Sequence, residues 1–197
     1  MRLGEVASVR SGLVLKRKEA KPDQPSIVYR ALNLRSIIPN GYLDATQLDL
    51  FSASEVLSPD YLTHEGDIVI RLTAPYTAIL IDKSTAGIII TSNFVVIRVD
   101  SKLMLPSYLA WLLNTPKQKK QIYESATGNM LSAINAKYYA NLNLTLLPID
   151  DQRKIAKLNQ LAQRETKLLL RLAEEKAKYY AEMIDAAQRN MRRNHKP

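Results

Sequence analysis

The sequence predicts an α+β fold in which a β-rich N-terminal domain, residues 1–148, is followed by one long C-terminal helix, residues 149–197. Before Pro148, short runs of β-favouring residues alternate with turn residues, whereas no Gly or Pro occurs between Asp150 and Asn194. The apolar residues of this second segment recur with a heptad period, which is typical of a helix that packs on another helix. The two segments are therefore expected to be built differently.

Five runs in the first segment predict strands, because they are rich in β-branched residues and bounded by turn signals. These runs are residues 26–32, 66–72, 78–81, 87–90 and 93–99. A helix is predicted after Pro106 and a second, basic one over residues 116–125, with Gly128 as a helix breaker.

The last segment predicts a single helix of about 44 residues, roughly 66 Å long at the usual rise per residue. Such a helix is too long to bury its apolar stripe against one domain of ordinary size, so we expect a partner helix. A helix folded back on its own domain remains the alternative. Glu165 and Lys176 interrupt the heptad. The expected contacts with the partner helix are Ile155, Leu158, Ala162, Leu169, Leu172, Tyr179 and Met183.

Composition restricts the function further. The 197 residues include 28 Lys+Arg, 19 Asp+Glu, two His and no Cys. The lack of Cys excludes disulfides and thiolate-bound metals, and no apolar run is long enough to span a bilayer. We expect a cytoplasmic protein without membrane contact, cofactor or metal.

The positive charge is concentrated in the last segment. Residues 1–150 hold 16 basic and 13 acidic residues, whereas residues 151–197 hold 12 and 6. Such an excess attracts polyanions, of which nucleic acid is the commonest.

Catalytic motifs are not found in the sequence. There is no glycine-rich phosphate loop and no nucleophile elbow, and His64-Glu65 lacks the second histidine of a zinc helix. A metal-dependent nuclease needs an aspartate upstream of a Glu-x-Lys motif, but Glu19-Ala20-Lys21 comes before Asp23. Glu174-Glu175-Lys176 lies on the predicted long helix with no facing carboxylate. We therefore expect a non-catalytic protein.

Several segments, in this order, resemble one half of a DNA specificity (S) subunit of a type I restriction-modification system. They are LGEVASVRSG at residues 3–12, GDIVI at 66–70, SNFVVIR at 92–98, PSYL at 106–109, ATGN at 126–129, and LNLTLLP at 142–148 leading into DQRKI at 151–155. Together they span nearly the whole chain.

The resemblance implies a target-recognition domain that mixes a twisted β-sheet with helices, followed by a long coiled-coil helix that serves as spacer. It also implies double-stranded DNA and a DNA methyltransferase (modification) subunit as partners, the latter docking on the helix and supplying catalysis; whether a restriction subunit joins them stays open. Family members normally carry two recognition domains and two helices packed antiparallel. Three explanations exist for the single copy here: a half-subunit that homodimerises through its helix, half of a split locus, and a fragment. The heptad favours the homodimer.

Candidate DNA contacts are basic and amide side chains beside Gly- and Pro-marked turns, where they can reach phosphates or base edges. Each group also has an alternative without DNA. The basic residues can form an ordinary solvated surface, Arg71 can pair with a carboxylate, and the amides can cap turns. The candidates are Lys16, Arg17 and Lys18; Arg71, Thr73 and Tyr76; Lys117, Lys119 and Lys120; and Asn129, Ser132 and Asn135.

The function predicted from the sequence is sequence-specific recognition of a half-site in a bipartite DNA target. Two other classes remain open. One is a non-catalytic coiled-coil interaction protein, and the other is a non-specific DNA-bridging protein, which would show a steep salt dependence without a preferred sequence.

Overall fold

The computed structural model describes residues 1–38, 41–128 and 134–194. In chain order, its strands are β1 (Ala7–Ser11), β2 (Ile27–Ala31), β3 (Ile37–Ile38), β4 (Tyr42–Leu43), β5 (Asp49–Ala53), β6 (Ile68–Arg71), β7 (Ala78–Leu80) and β8 (Phe94–Val99). Its α-helices are α1 (Pro106–Asn114), α2 (Pro116–Gly128), α3 (Ala136–Ala140) and α4 (Ile149–Asn194).

A four-stranded antiparallel sheet in the order β1-β8-β6-β7 forms the centre of the β-rich part. Its two middle strands are apolar at consecutive positions because both faces of the sheet are covered. Ile70 and Val95 pack with α1, α2 and α3 on one face. On the other face, Val69 and Val96 pack with residues that include Ile88.

A two-stranded antiparallel ribbon is formed by β2 and β5, with Tyr29 opposite Phe51. Phe51 and Ala53 are buried on its inner face, where they join a small core with Leu13 and Leu57. The opposite face of the ribbon is exposed, because side chains alternate between the two faces of a strand.

Four of the five predicted strands are found, and the prediction for residues 87–90 is wrong. This segment makes isolated bridges from Ile89 to Ala31 and to Leu62 instead of a continuous ladder. Its backbone hydrogen bonds are divided: the N–H of Ile89 donates to Arg30, and the N–H of Ile90 donates to Tyr61. The apolar run is buried because it lies between two other segments of the chain, one at residues 30–31 and one at residues 61–62.

Gln152 fastens the start of α4 to the segment before α1. Its side chain is buried, and its Oε1 accepts the backbone N–H of Leu105 at 3.0 Å. Its Nε2 donates to the carbonyls of Leu147 at 2.9 Å and Leu103 at 3.2 Å. This explains physically why a glutamine stands in the first turn of α4, just after Pro148.

Gln152→Ala is expected to lower the free energy of unfolding by about 1–3 kcal/mol, because it leaves three partly buried backbone groups without partners. Urea denaturation measures this loss. Gln160→Ala is the matched control, since Gln160 lies exposed on the same helix and its loss should stay within about 0.5 kcal/mol. Equal stability of the two variants would contradict the role given to Gln152.

Contacts within the chain divide it into two units, Met1–Ala156 and Lys157–Pro197. The first contains the sheet, the ribbon and the three shorter helices, and the second consists of most of α4. No α-helix in the described ranges is long and apolar enough to cross a membrane.

Candidate nucleic-acid interface

Several candidate DNA contacts converge at one end of the central sheet. β1 finishes there at Ser11 and β6 at Arg71, and β8 begins there, with Ser11 opposite Val95 and Arg71 opposite Phe94. β7 also begins at this end, since Ala78 lies opposite Ile70. We call it the loop end of the sheet. The segments that follow β1 and β6 therefore leave the same end of the sheet, on either side of β8, although they lie far apart in sequence.

The basic segment after β1 is held against the sheet. The N–H of Gly12 donates to the carbonyl of Phe94 at 3.0 Å, and the N–H of Leu13 donates to that of Ile90 at 2.7 Å. A Cβ at Gly12 would collide with the backbone carbonyls of Ile90 and Thr91, so only glycine allows this approach. The close contact fixes where the following basic turn lies.

Lys16 and Arg17 are exposed in the turn that follows, and neither makes an ion pair with a described residue. Lys18 differs because Glu55 accepts a hydrogen bond from its ammonium group and raises its pKa. Of the three cations in this turn, Lys16 and Arg17 therefore have no ion-pair partner among the described residues, whereas Lys18 is paired with Glu55.

Arg71 ends β6 at the loop end, and its Nε is buried without a hydrogen-bond partner. It makes no ion pair within the part of the chain that the structure describes, so the alternative of a carboxylate partner finds no support there. Most partly buried guanidinium groups in proteins are paired. Arg71 as a whole is only partly buried, so the exposed part of its side chain can meet an external acceptor.

Thr73 and Tyr76 occupy the turn between β6 and β7, but only Thr73 is exposed. Tyr76 is 9% exposed, and its ring meets that of Tyr123 edge to face, with the centroids 5.1 Å apart. Its backbone is left-handed, with φ at 51°, a conformation that surrounding contacts must hold in a non-glycine residue. Tyr76 thus anchors the turn in the core, while Thr73 faces solvent.

The basic start of α2 lies at the loop end as well. The side chain of Asn114, just before α2, bonds both backbone groups of Ala78, donating to the carbonyl at 2.7 Å and accepting the N–H at 3.1 Å. Lys117 and Lys120 are exposed, and Lys120 lies 3.8 Å from the carboxylate of Glu124.

Lys119 is half-buried, and desolvation lowers the pKa of its ammonium group. Lys117 makes no ion pair with any residue in the described ranges. It is therefore the cation of this group that lies open to an external partner.

Asn135 caps α3, since its Oδ1 accepts the N–H of Tyr138 at 3.0 Å. The capping role proposed as the alternative is therefore observed for this residue. Its exposed side chain lines a groove of about 380 Å³ with Gln121 and Lys137. Asn129 and Ser132 lie outside the described residues.

The outer face of the β2–β5 ribbon is a candidate surface that the sequence reasoning missed. Val28 and Leu50 are 61% and 77% exposed on it, beside the exposed Arg30 and Ser52. The ribbon is joined to the basic turn because the carbonyl of Lys18 accepts the backbone N–H of Ser54.

The signal for this ribbon was present in the sequence. Residues 49–53 alternate in side-chain direction, with Phe51 and Ala53 buried and Leu50 and Ser52 exposed. β5 escaped prediction because it contains Asp49 and Ser52, which disfavour strands or are neutral to them. A two-stranded ribbon of this kind fits the major groove of DNA.

Metal-binding groups of three or more His, Cys, Asp or Glu residues do not occur among the described residues. One buried ion pair joins the start of β6 to β8: Arg98 donates to Asp67 at 2.9 and 3.1 Å, and to the carbonyl of Leu62 at 2.9 Å. Asp67 also accepts the backbone N–H of His64 at 2.8 Å. These groups satisfy one another and stabilise the fold.

The apolar stripe of α4 lies open in the single chain. More than half of each large side chain predicted to meet a partner is exposed, apart from Ile155, which is half-buried at the start of the helix. Ala162 is exposed as well. The more than half-exposed members are Leu158, Leu169, Leu172, Tyr179 and Met183.

No family model matches the chain, and no curated protein matches it. Several solved structures, in contrast, match the chain. A chain from a structural study of complex assembly and conformational transition in a type I restriction-modification system matches with a TM-score of 0.64 and 20% identity, over 93% of this chain and 46% of that one.

Two further matches are S subunits by name. The HsdS subunit from Thermoanaerobacter tengcongensis has a TM-score of 0.55 and 17% identity, over 87% of this chain and 38% of its own. The type I restriction-modification S subunit from M. genitalium has a TM-score of 0.50 and 14% identity, over 85% and 40%.

The chain therefore has the fold of type I S subunits, and the predicted α+β class with its long C-terminal helix is confirmed. The resemblance noted in the sequence is confirmed at the level of the fold. The chain spans less than half the length of each of these three structures.

Proposed function

We propose that this chain is a non-catalytic DNA specificity subunit of a type I restriction-modification system. One observation carries the proposal: in a chain with the S-subunit fold, four cations that make no ion pair with any described residue come from three separate segments that meet at the loop end of the sheet. They are Lys16, Arg17, Arg71 and Lys117. Such a cluster suits the phosphates and base edges of double-stranded DNA.

In this proposal the loop end and the outer face of the ribbon contact one half-site. Lys16, Arg17 and Lys117 contact phosphates, since they are exposed cations. Arg71 contacts a base edge, because its partly buried stem holds the guanidinium in one direction. Arg30 on the ribbon is a further contact, with Val28 and Leu50 placed to meet thymine methyl groups.

The exposed stripe of α4 supports pairing with a second copy of the chain. We place this dimer in the cytoplasm. A two-fold dimer has two identical recognition surfaces, so its target is bipartite with inverted half-sites. The faces of α4 outside the stripe remain available to a methyltransferase subunit, which supplies the catalysis, and to a restriction subunit where one takes part.

Selection from random double-stranded DNA with the purified full chain tests this proposal. We expect enrichment of two inverted half-sites at a fixed separation, with an affinity that falls as salt rises. A steep salt dependence without a preferred sequence would support a DNA-bridging protein instead. Weak binding that does not respond to salt would support an interaction protein.

Arg71→Ala should weaken binding by about 1–3 kcal/mol at one base pair of the selected site and have little effect when that pair is already changed. Lys16→Ala is the matched comparison, because loss of a phosphate contact weakens binding to all sequences alike and lowers the salt dependence. Fluorescence anisotropy with single-base-pair variants of the site measures both. An equal loss on every sequence would make Arg71 a phosphate contact.

A further inference from the structure

The two interruptions in the apolar stripe of α4 are of opposite charge. Glu165 and Lys176 occupy stripe positions of the heptad, and both are exposed. Neither makes an ion pair with another residue in the described part of the chain. A charged side chain inside a helix interface costs stability unless the opposing helix supplies a partner, so these two residues restrict how a second helix can pack.

A parallel pair of identical helices in register places every residue opposite its own copy. Glu165 would then face Glu165 of the second copy, and Lys176 would face Lys176. Two layers would carry like charges. The exposed Ala162 would also face a second alanine, which leaves space unfilled in the interface.

An antiparallel pair centred between Leu170 and Arg171 removes both problems. In an antiparallel pair, the first apolar position of each heptad faces the fourth position of the opposing helix. Leu169 therefore lies opposite Leu172 of the second copy, and Glu165 lies opposite Lys176 of the second copy. The two-fold axis repeats the charged pair on the other side of the centre.

The volumes of facing side chains are also complementary in this antiparallel alignment. Ala162 lies opposite Tyr179 of the second copy, so a small side chain meets a large one, and Leu158 lies opposite Met183. Complementary volumes at facing positions let the layers interdigitate.

A shift of the antiparallel alignment by one heptad loses the charge pairing. In one direction, Glu165 would face Leu169 of the second copy and Lys176 would face Leu158; in the other, the opposing residues are Met183 and Leu172. Each shift would bury two charges against apolar side chains, which is strongly unfavourable. The charges therefore discriminate between alignments as well as between orientations.

We propose that Glu165 and Lys176 pair across an antiparallel homodimer and select its orientation and alignment. This inference rests on the homodimer of the proposed function. The second copy is the occupant favoured by the sequence, because the stripe carries the complement of its own two charges.

Charge reversal in the full-length chain tests the pair. Glu165→Lys alone makes both charged layers positive, so the dimer dissociation constant should rise by about tenfold or more. Lys176→Glu alone makes both layers negative and should raise the dissociation constant by a similar factor. The double variant Glu165→Lys/Lys176→Glu should recover the dimer, and so should an equal mixture of the two single variants. Sedimentation equilibrium measures all four. Glu and Lys are both good helix formers, so α4 itself is preserved.

Arg164→Glu is the control, because it reverses a charge one residue away and outside the stripe. It should leave the dissociation constant nearly unchanged. In a parallel dimer, Glu165→Lys would only exchange one like-charged layer for another, so an unchanged dissociation constant for this variant overturns the proposal.

Disulfide trapping gives an independent result, since the chain contains no cysteine. A chain with Ala162→Cys mixed with one carrying Tyr179→Cys should form a cross-linked dimer on oxidation, whereas Ala162→Cys alone should not. Cross-linking of Ala162→Cys with itself would show a parallel dimer and overturn the proposal.

A monomeric wild-type chain would overturn the pairing with a second copy altogether. DNA selection with the same preparation then decides separately whether the chain recognises a sequence, so failure of the inference and failure of the proposed function can be told apart.

Discussion

Leu169→Asp combined with Leu172→Asp is expected to convert the dimer into a monomer of 22.3 kDa. The two leucines are more than half exposed in the single chain and form the central layers of the proposed helix pair. Removing a buried leucine side chain costs about 2–5 kcal/mol, and each substitution also places a charge in the interface. Light scattering over a dilution series measures the mass.

The same variant should bind the full bipartite DNA site about 10²–10⁴-fold more weakly, because two linked recognition surfaces become one. Binding to a single half-site should change little. Leu170→Asp is the matched control, since Leu170 is also exposed but lies outside the stripe. A mass that stays at twice 22.3 kDa in the double variant would refute the helix interface.

Asp67→Ala is expected to lower the free energy of unfolding by about 3–5 kcal/mol, the usual cost of removing one partner from a buried ion pair. Only 4% of the Asp67 side chain and 20% of the Arg98 side chain are exposed, so little water can replace the lost carboxylate. The backbone N–H of His64 loses its acceptor as well. Urea denaturation measures the difference.

Asp49→Ala provides the comparison for this prediction. Asp49 pairs with Arg35 at 3.0 Å, but both side chains are more than half exposed, so the loss should be about 0.2–1 kcal/mol. A similar loss in the two variants would show that Asp67 contributes no more than a surface ion pair does.

The sequence pattern predicted secondary structure best where that structure depends on residues adjacent in the sequence. β6 and β8 were predicted because consecutive apolar residues bounded by turn signals mark a strand buried on both faces. β1 and β5 were missed, since their runs mix Ser, Arg and Asp with apolar residues. Residues 87–90 were assigned wrongly because an apolar run is buried equally well in a ladder or as a bridge between two segments.

The candidate DNA contacts were recognisable as residue types but not as a site. Lys16, Arg71 and Lys117 are distant in sequence and come together because β1 and β6 both pair antiparallel with β8, and because Asn114 holds the start of α2 against β7. Tyr76 has the side chain of a stacking residue, but its burial against Tyr123 depends on a helix some forty residues later.

Local periodicity alone is enough to determine the long helix of this protein, its apolar stripe and the two charges that interrupt it, because a helix places residues on its faces by their spacing. Only the tertiary structure decides which cations pair with carboxylates that are distant in the sequence. Lys18 is engaged by Glu55 and Arg98 by Asp67, while Arg71 has no described partner, and these outcomes depend on residues more than thirty positions away. Pairing between charges on distant segments acts through space, so spacing along the chain does not encode it.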